Sequence, residues 1–179
     1  DRVWQIGSCE GAYRFAMNIL VRVPNWIGDA VMCLPALMDL RNHDPHTKVT
    51  VLARPIIGEL LRGHPGVDEV MMYFHQGEHK GLLGLWHLIQ RVRRKQFDRA
   101  VLFQNAFEAA LIARMAGIPS RIGYATDGRR WLLSEAVPRP DWAHLHHTEY
   151  YQELVKTISH SSGKDRTPQL FLSPEMKNA

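Results

Sequence analysis

The feature that most limits how this chain can fold is an alternation running through most of its 179 residues. Short, β-branched apolar runs take turns with stretches whose apolar residues recur at helical spacing. The runs cover residues 19–23, 48–53, 69–73, 98–103 and 121–124, each bounded by turn formers such as Pro24-Asn25 or Gly117-Ile118-Pro119. Runs of that length and composition read as strands. Helical spacing is predicted over residues 31–40, 57–61, 82–95, 106–116 and 146–158. Strands separated by helices imply parallel neighbours with right-handed crossovers. The expected fold is therefore α/β: a Rossmann-like parallel sheet with helices on both faces.

A hydrophobic content of 45% is enough for one such core, and splitting the chain in two would leave each half thin. The domain is expected over residues 17–160. Residues 1–16 lack either periodicity and read as an upstream extension outside the fold. Residues 161–179 are polar and linker-like, with one further strand expected at 169–172. No apolar run reaches the roughly 18 residues that cross a bilayer. Residues 1–16 also lack the basic start and apolar centre of a secretory signal. Two cysteines, Cys9 and Cys33, are too few for a disulfide scaffold, and Cys33 sits among apolar positions as a reduced, buried thiol. The expected compartment is the cytosol, if anywhere near lipid then against a membrane surface.

In open parallel sheets, ligands bind beyond the carboxyl ends of the strands. The first such end carries Pro24-Asn25-Trp26-Ile27-Gly28-Asp29-Ala30-Val31. Gly28 permits a tight turn and a close ligand approach. Asp29 stands at the mouth of the following helix, where it either caps the helix or accepts a proton from a bound hydroxyl. One glycine is too few for the three-glycine dinucleotide fingerprint, and Arg54 follows the second strand where that fold carries an acid. A nicotinamide-dependent oxidoreductase is thereby disfavoured. No nucleophile elbow and no P-loop occurs.

The stretch from Ile19 to Met32, continuing through Leu34-Pro35-Ala36-Leu37, resembles the start of the ADP-heptose:lipopolysaccharide heptosyltransferases, and within them type II. Three later segments follow in order: Leu52-Ala53-Arg54-Pro55, the run from Gln104 to Leu111, and the run from Gly117 to Tyr124 with Thr126-Asp127-Gly128-Arg129. His147 followed by Tyr150-Tyr151 also fits. The resemblance implies the N-terminal half of a GT-B glycosyltransferase, inverting, with ADP-heptose as donor substrate and a lipopolysaccharide core heptose as acceptor. It implies that Asp29 is the base that deprotonates the acceptor hydroxyl, and that no metal or other cofactor takes part. Family members continue into a second domain that holds most donor contacts, so this chain is expected to need that domain for transfer. The rival expectation is a module that only binds core sugars.

Asn25, Gly28 and Asn105 are the expected acceptor-side contacts. Asn105 follows the strand at 98–103 and serves equally as an N-cap for the next helix. Arg129, or its neighbour Arg130, can clamp a core phosphate or carboxylate, or simply belong to a solvated turn. The helix at 82–95 ends in Arg91, Arg93, Arg94 and Lys95, and either rests on anionic lipid at the inner-membrane surface or only packs on the sheet. The net charge of +4 suits an anionic partner without choosing one. Nucleic acid is not expected, because the five tryptophans are scattered rather than interleaved with basic residues. Ten histidines, among them His75, His79, His144, His146 and His147, lack the cysteine pairs and helical pairing of a zinc site.

Overall fold

The structure is a computed structural model and describes residues 17–44, 46–140, 146–159 and 167–171. Six strands form one parallel sheet in the order β3-β2-β1-β4-β5-β6. They are β1 Asn18–Arg22, β2 Lys48–Ala53, β3 Glu69–Met72, β4 Arg99–Leu102, β5 Ser120–Tyr124 and β6 Glu135–Val137. The chain winds outward from β1 in one direction, then returns past it to β4, so the order reverses between β1 and β4. That reversal opens a crevice at the carboxyl edge, where neighbouring crossovers leave in opposite directions.

Each strand alternates sides, and this builds two cores. Ile19, Val21, Val49, Val51, Val101 and Phe103 face one layer, which also holds buried residues from α1 Ile27–Met32, α2 Leu34–His43, α3 Pro55–Leu61 and α6 His147–Ser159. Leu20, Leu52, Ala100 and Leu102 face the other, beneath α4 Gly81–Arg94 and α5 Phe107–Met115. Burial of strands on both faces explains why they read as unbroken apolar runs.

The five expected strands and the later helices lie where the apolar pattern places them, with ends shifted by a residue or two. Three points differ. The first helix is two helices, hinged at Cys33, whose φ of −87° and ψ of −4° leave regular helix. Pro35 has no N–H to donate back to Val31, so the ladder must restart there. A sixth strand, Glu135–Val137, joins the edge of the sheet; three residues are too few to show a period. Residues 169–171 are not in a strand, and Leu172 lies outside the described residues. The extension at 1–16, most of the linker at 161–179, Cys9 and His144 likewise lie outside them.

Candidate active site

β1 and β4 run side by side with Arg22 opposite Leu102. Three residues beyond that pair, in each strand, stands an asparagine: Asn25 and Asn105. A buried arginine holds each one. Arg22 donates from Nη1 to the carbonyls of Val23 (2.7 Å) and Leu52 (3.2 Å), and from Nη2 to Asn25 Oδ1 at 2.9 Å. Arg129 donates from Nε to the Tyr124 carbonyl at 3.0 Å, from Nη1 to the Gln104 carbonyl, and from Nη2 to Asn105 Oδ1 at 3.0 Å. Burial pulls both guanidinium groups down to about 10, which still leaves them charged at neutral pH. With each Oδ1 occupied, the amides offer N–H donors elsewhere. Asn105 Nδ2 gives one to the Tyr150 hydroxyl at 2.8 Å.

Just beyond the end of β1, α1 presents Asp29 in its first turn. The N-cap is Trp26, without a side-chain cap bond, so Asp29 is not the capping residue; its own carbonyl accepts from Cys33 N at 3.1 Å. The half-buried Asp29 carboxylate makes no hydrogen bond or ion pair with any described residue. Tyr151 lies close by: burial first, and the Asp29 charge second, push its phenol up. α6 therefore closes the floor of the site, with Tyr124 stacked on Tyr150 at a ring separation of 4.3 Å. The Tyr124 hydroxyl donates to the Tyr150 carbonyl at 2.6 Å. Trp26 and Ile27 stand exposed at the lip.

Of the expected contacts, Asn25, Gly28, Asp29 and Asn105 converge on this edge, with three corrections of role. Gly28 is not a tight-turn glycine: it sits in the first turn of α1, and a Cβ there would meet nothing within 4 Å. Asn105 does not cap α5, whose N-cap is Ala106; Arg129 and Tyr150 take its amide instead. Arg129 is not at the surface. The turn Thr126-Asp127-Gly128-Arg129 has positive φ at Asp127 (52°) and Gly128 (67°) and closes with Arg129 N donating to the Thr126 carbonyl, which folds the side chain inward to full burial. Its charge bears on the site through Asn105 rather than by touching a ligand; Arg130 is the exposed one.

A second opening lies beyond the adjacent ends of β2 and β3. A pocket of about 270 Å³ is lined by Arg54, Pro55, Tyr73, Phe74, His75, Gln76 and Gly77. Nothing in the sequence points to it beyond Arg54 standing after a strand. His79 is buried and accepts the Phe74 N–H on Nδ1 at 3.0 Å, so it braces this loop. His75 Nδ1 lies 2.9 Å from the Tyr73 hydroxyl. Among the described residues no three His, Cys, Asp or Glu side chains gather as a metal cluster.

The apolar stripe of α4 is only partly buried. Leu88, Ile89 and Val92 are buried on the sheet, whereas Leu82 and Leu83 are 87% and 78% exposed and Trp86 nearly half exposed. Lys95, at its basic end, is engaged by Glu69. No described helix is long and apolar enough to cross a membrane.

The sequence profile of the family described as Glycosyltransferase family 9 (heptosyltransferase) matches residues 85–178, just over half of the chain. The chain is 32% identical over 169 residues to Lipopolysaccharide heptosyltransferase 2 of Salmonella typhimurium, covering 90% of this chain and 46% of that protein. To the protein of the same name in Escherichia coli it is 31% identical over 173 residues, with the same coverage. The solved structure of E. coli ADP-heptose lps heptosyltransferase II superposes with a TM-score of 0.73 at 28% identity, over 90% of this chain and 49% of that one. A glycosyl transferase family 9 structure from Veillonella parvula gives 0.81 at 18% identity, over 94% of this chain and 48% of that one, a likeness of fold. The chain thus spans about half the length of the relatives it matches, and its doubly wound sheet is one half of a GT-B architecture. On these grounds the chain belongs to glycosyltransferase family 9, the heptosyltransferase family.

Proposed function

We propose that this chain forms the acceptor-binding side of an inverting enzyme that transfers heptose from ADP-heptose to a heptose of the lipopolysaccharide inner core, with Asp29 as general base. The observation that carries the reading is the Asp29 carboxylate: half-buried, free of hydrogen bonds and ion pairs to described residues, and set in the first turn of α1 just past the oriented Asn25 at the carboxyl end of β1. A carboxylate already engaged by an arginine or a cap would be a poor proton acceptor; this one is open. An acceptor hydroxyl placed within hydrogen-bond reach of it loses its proton as its oxygen attacks the anomeric carbon. The bond from that carbon to the ADP oxygen breaks on the opposite face, so configuration inverts and the diphosphate leaves with the electron pair. Asn25 and Asn105 donate N–H groups to acceptor oxygens, and Gly28 leaves room for the sugar against α1. No metal or cofactor is needed for these steps.

Donor contacts belong, on this reading, to the remaining half that the relatives carry, and holding both reactants supplies much of the rate. The 179-residue chain is therefore expected to bind acceptor without transferring heptose. Calorimetric titration of the chain with inner-core oligosaccharide and with ADP-heptose tests this. Acceptor binding at micromolar to millimolar affinity with weaker nucleotide binding is the expected result; tight ADP-heptose binding with none to the acceptor would overturn the assignment of sides. The same reading places the protein on the cytoplasmic face of the inner membrane. The exposed Leu82, Leu83 and Trp86 at the start of α4 support it, since they lie at the edge that a lipid-anchored acceptor must reach.

A further inference from the structure

We propose that the pocket between the ends of β2 and β3 is a distinct subsite for a sugar carrying an oxyanion, in which Arg54 donates to the anion and His75 Nε2 accepts from a sugar hydroxyl. The inference rests on the acceptor-side reading for the source of such a ligand, and not for the chemistry of the pocket. Arg54 lines the pocket with its Nε buried and unpartnered, and its guanidinium makes no hydrogen bond or ion pair with any described residue. Its charge also acts on the buried guanidinium of Arg22, another cation, and helps to lower it. A desolvated guanidinium nitrogen without an acceptor is a standing cost, and a carboxylate or phosphate oxygen in the pocket removes it.

The histidine follows from proton counting. The Tyr73 hydroxyl has a single proton and donates it to Glu108 Oε1 at 2.8 Å. Its 2.9 Å contact with His75 Nδ1 must then use a proton carried by the imidazole. Burial and the Glu108 carboxylate push the Tyr73 phenol up, so it keeps its own proton. Neutral His75 is thereby held as the Nδ1–H tautomer, and Nε2, which has no partner among the described residues, is an acceptor at the pocket wall. Phe74 lines the same pocket and is held by two bonds with His79, whose N–H donates to the Phe74 carbonyl at 3.1 Å while its Nδ1 accepts the Phe74 N–H. The walls thus offer one cationic fork, one hydroxyl acceptor and an aromatic ring for sugar C–H groups.

Two measurements on the 179-residue chain test this. A long-range ¹H–¹⁵N spectrum above pH 8 should show His75 as Nδ1–H, reverting to the ordinary Nε2–H majority in Tyr73→Phe. Titration with mannose 6-phosphate should then move both the Arg54 Nε–H and His75 Nε2 resonances. Inorganic phosphate should move Arg54 alone, and mannose neither at the same concentration. Arg54→Gln should weaken mannose 6-phosphate at least tenfold, whereas Asp29→Asn should leave that titration unchanged. An Nε2–H tautomer in the wild type, or unmoved Arg54 and His75 resonances at saturating mannose 6-phosphate, would overturn the proposal. Loss of heptose transfer in Asp29→Asn of a protein that carries both halves, with the titration of the 179-residue chain intact, separates the failure of either idea from the other.

Discussion

Arg22 and Arg129 carry their charges inside the protein without an ion pair to a described residue, and each places one nitrogen on the oxygen of an asparagine at a strand end. Burying an unpaired charge is costly, and the carbonyls each arginine gathers offset it through charge-assisted bonds. Replacing Arg129 by Met removes those donors and leaves the Gln104 and Tyr124 carbonyls short. Urea unfolding should show a loss of about 2–4 kcal/mol, and the side-chain amide of Asn105 should lose its fixed environment. Gly28→Ala is expected to behave oppositely. Its Cβ meets open space in a helical turn, so stability should stay level or rise by up to about 1 kcal/mol, while acceptor affinity falls because the methyl occupies the sugar's approach. A loss of stability with acceptor affinity intact would contradict that reading. Asn25, Asp29 and Asn105 were legible by counting past the ends of apolar runs. Arg22 was not, because a charge at the end of a strand reads as exposed until the sheet shows what covers it. Nor was Tyr151, which only the return of α6 brings beside Asp29.

Elements were legible where the apolar period was long enough to measure. The hinge between α1 and α2 was written in Pro35 yet masked by apolar positions that keep their spacing across it, and β6 is too short to show a period. Packing within elements makes two further outcomes specific. In α4, a Cβ on Gly84 would lie 2.4 Å from the His79 carbonyl carbon, backbone that cannot step aside. Gly84→Ala should therefore destabilise by about 1–3 kcal/mol and disturb the loop bearing Phe74 and His75, measurable as a lower thermal midpoint. In the turn joining α3 to β3, His64 is buried, accepts the Gly66 N–H on Nδ1 at 3.1 Å and leaves Nε2 unpartnered. Burial pulls its imidazole from 6.5 down to about 4. The unfolded chain therefore binds the extra proton first as pH falls. Its contribution to stability is present above pH 6.5 and is lost between about 6.5 and 4, by up to about 3 kcal/mol. Denaturant curves across that range should lose part of their slope with pH in His64→Gln.

At the scale of the whole molecule, the order β3-β2-β1-β4-β5-β6 gathers the carboxyl ends of its strands on one edge, and that edge holds Asp29, both oriented asparagines and the Arg54 pocket. The alternation of runs and helical stretches makes the fold class and the edge readable from the sequence alone, because a parallel sheet leaves few other arrangements. What it could not show was which polar side chains turn inward there, since burial of Arg22 and Arg129 depends on contacts across strands. The central claim is that the open carboxylate at this edge takes the proton of the attacking hydroxyl. It is tested most directly by the rate of heptose transfer from ADP-heptose to inner-core acceptor in a protein that carries both halves, wild type against Asp29→Asn. A fall of about 10²-fold or more is expected, with acceptor affinity changed by no more than a few fold; transfer at near the wild-type rate would mean that Asp29 is not the base.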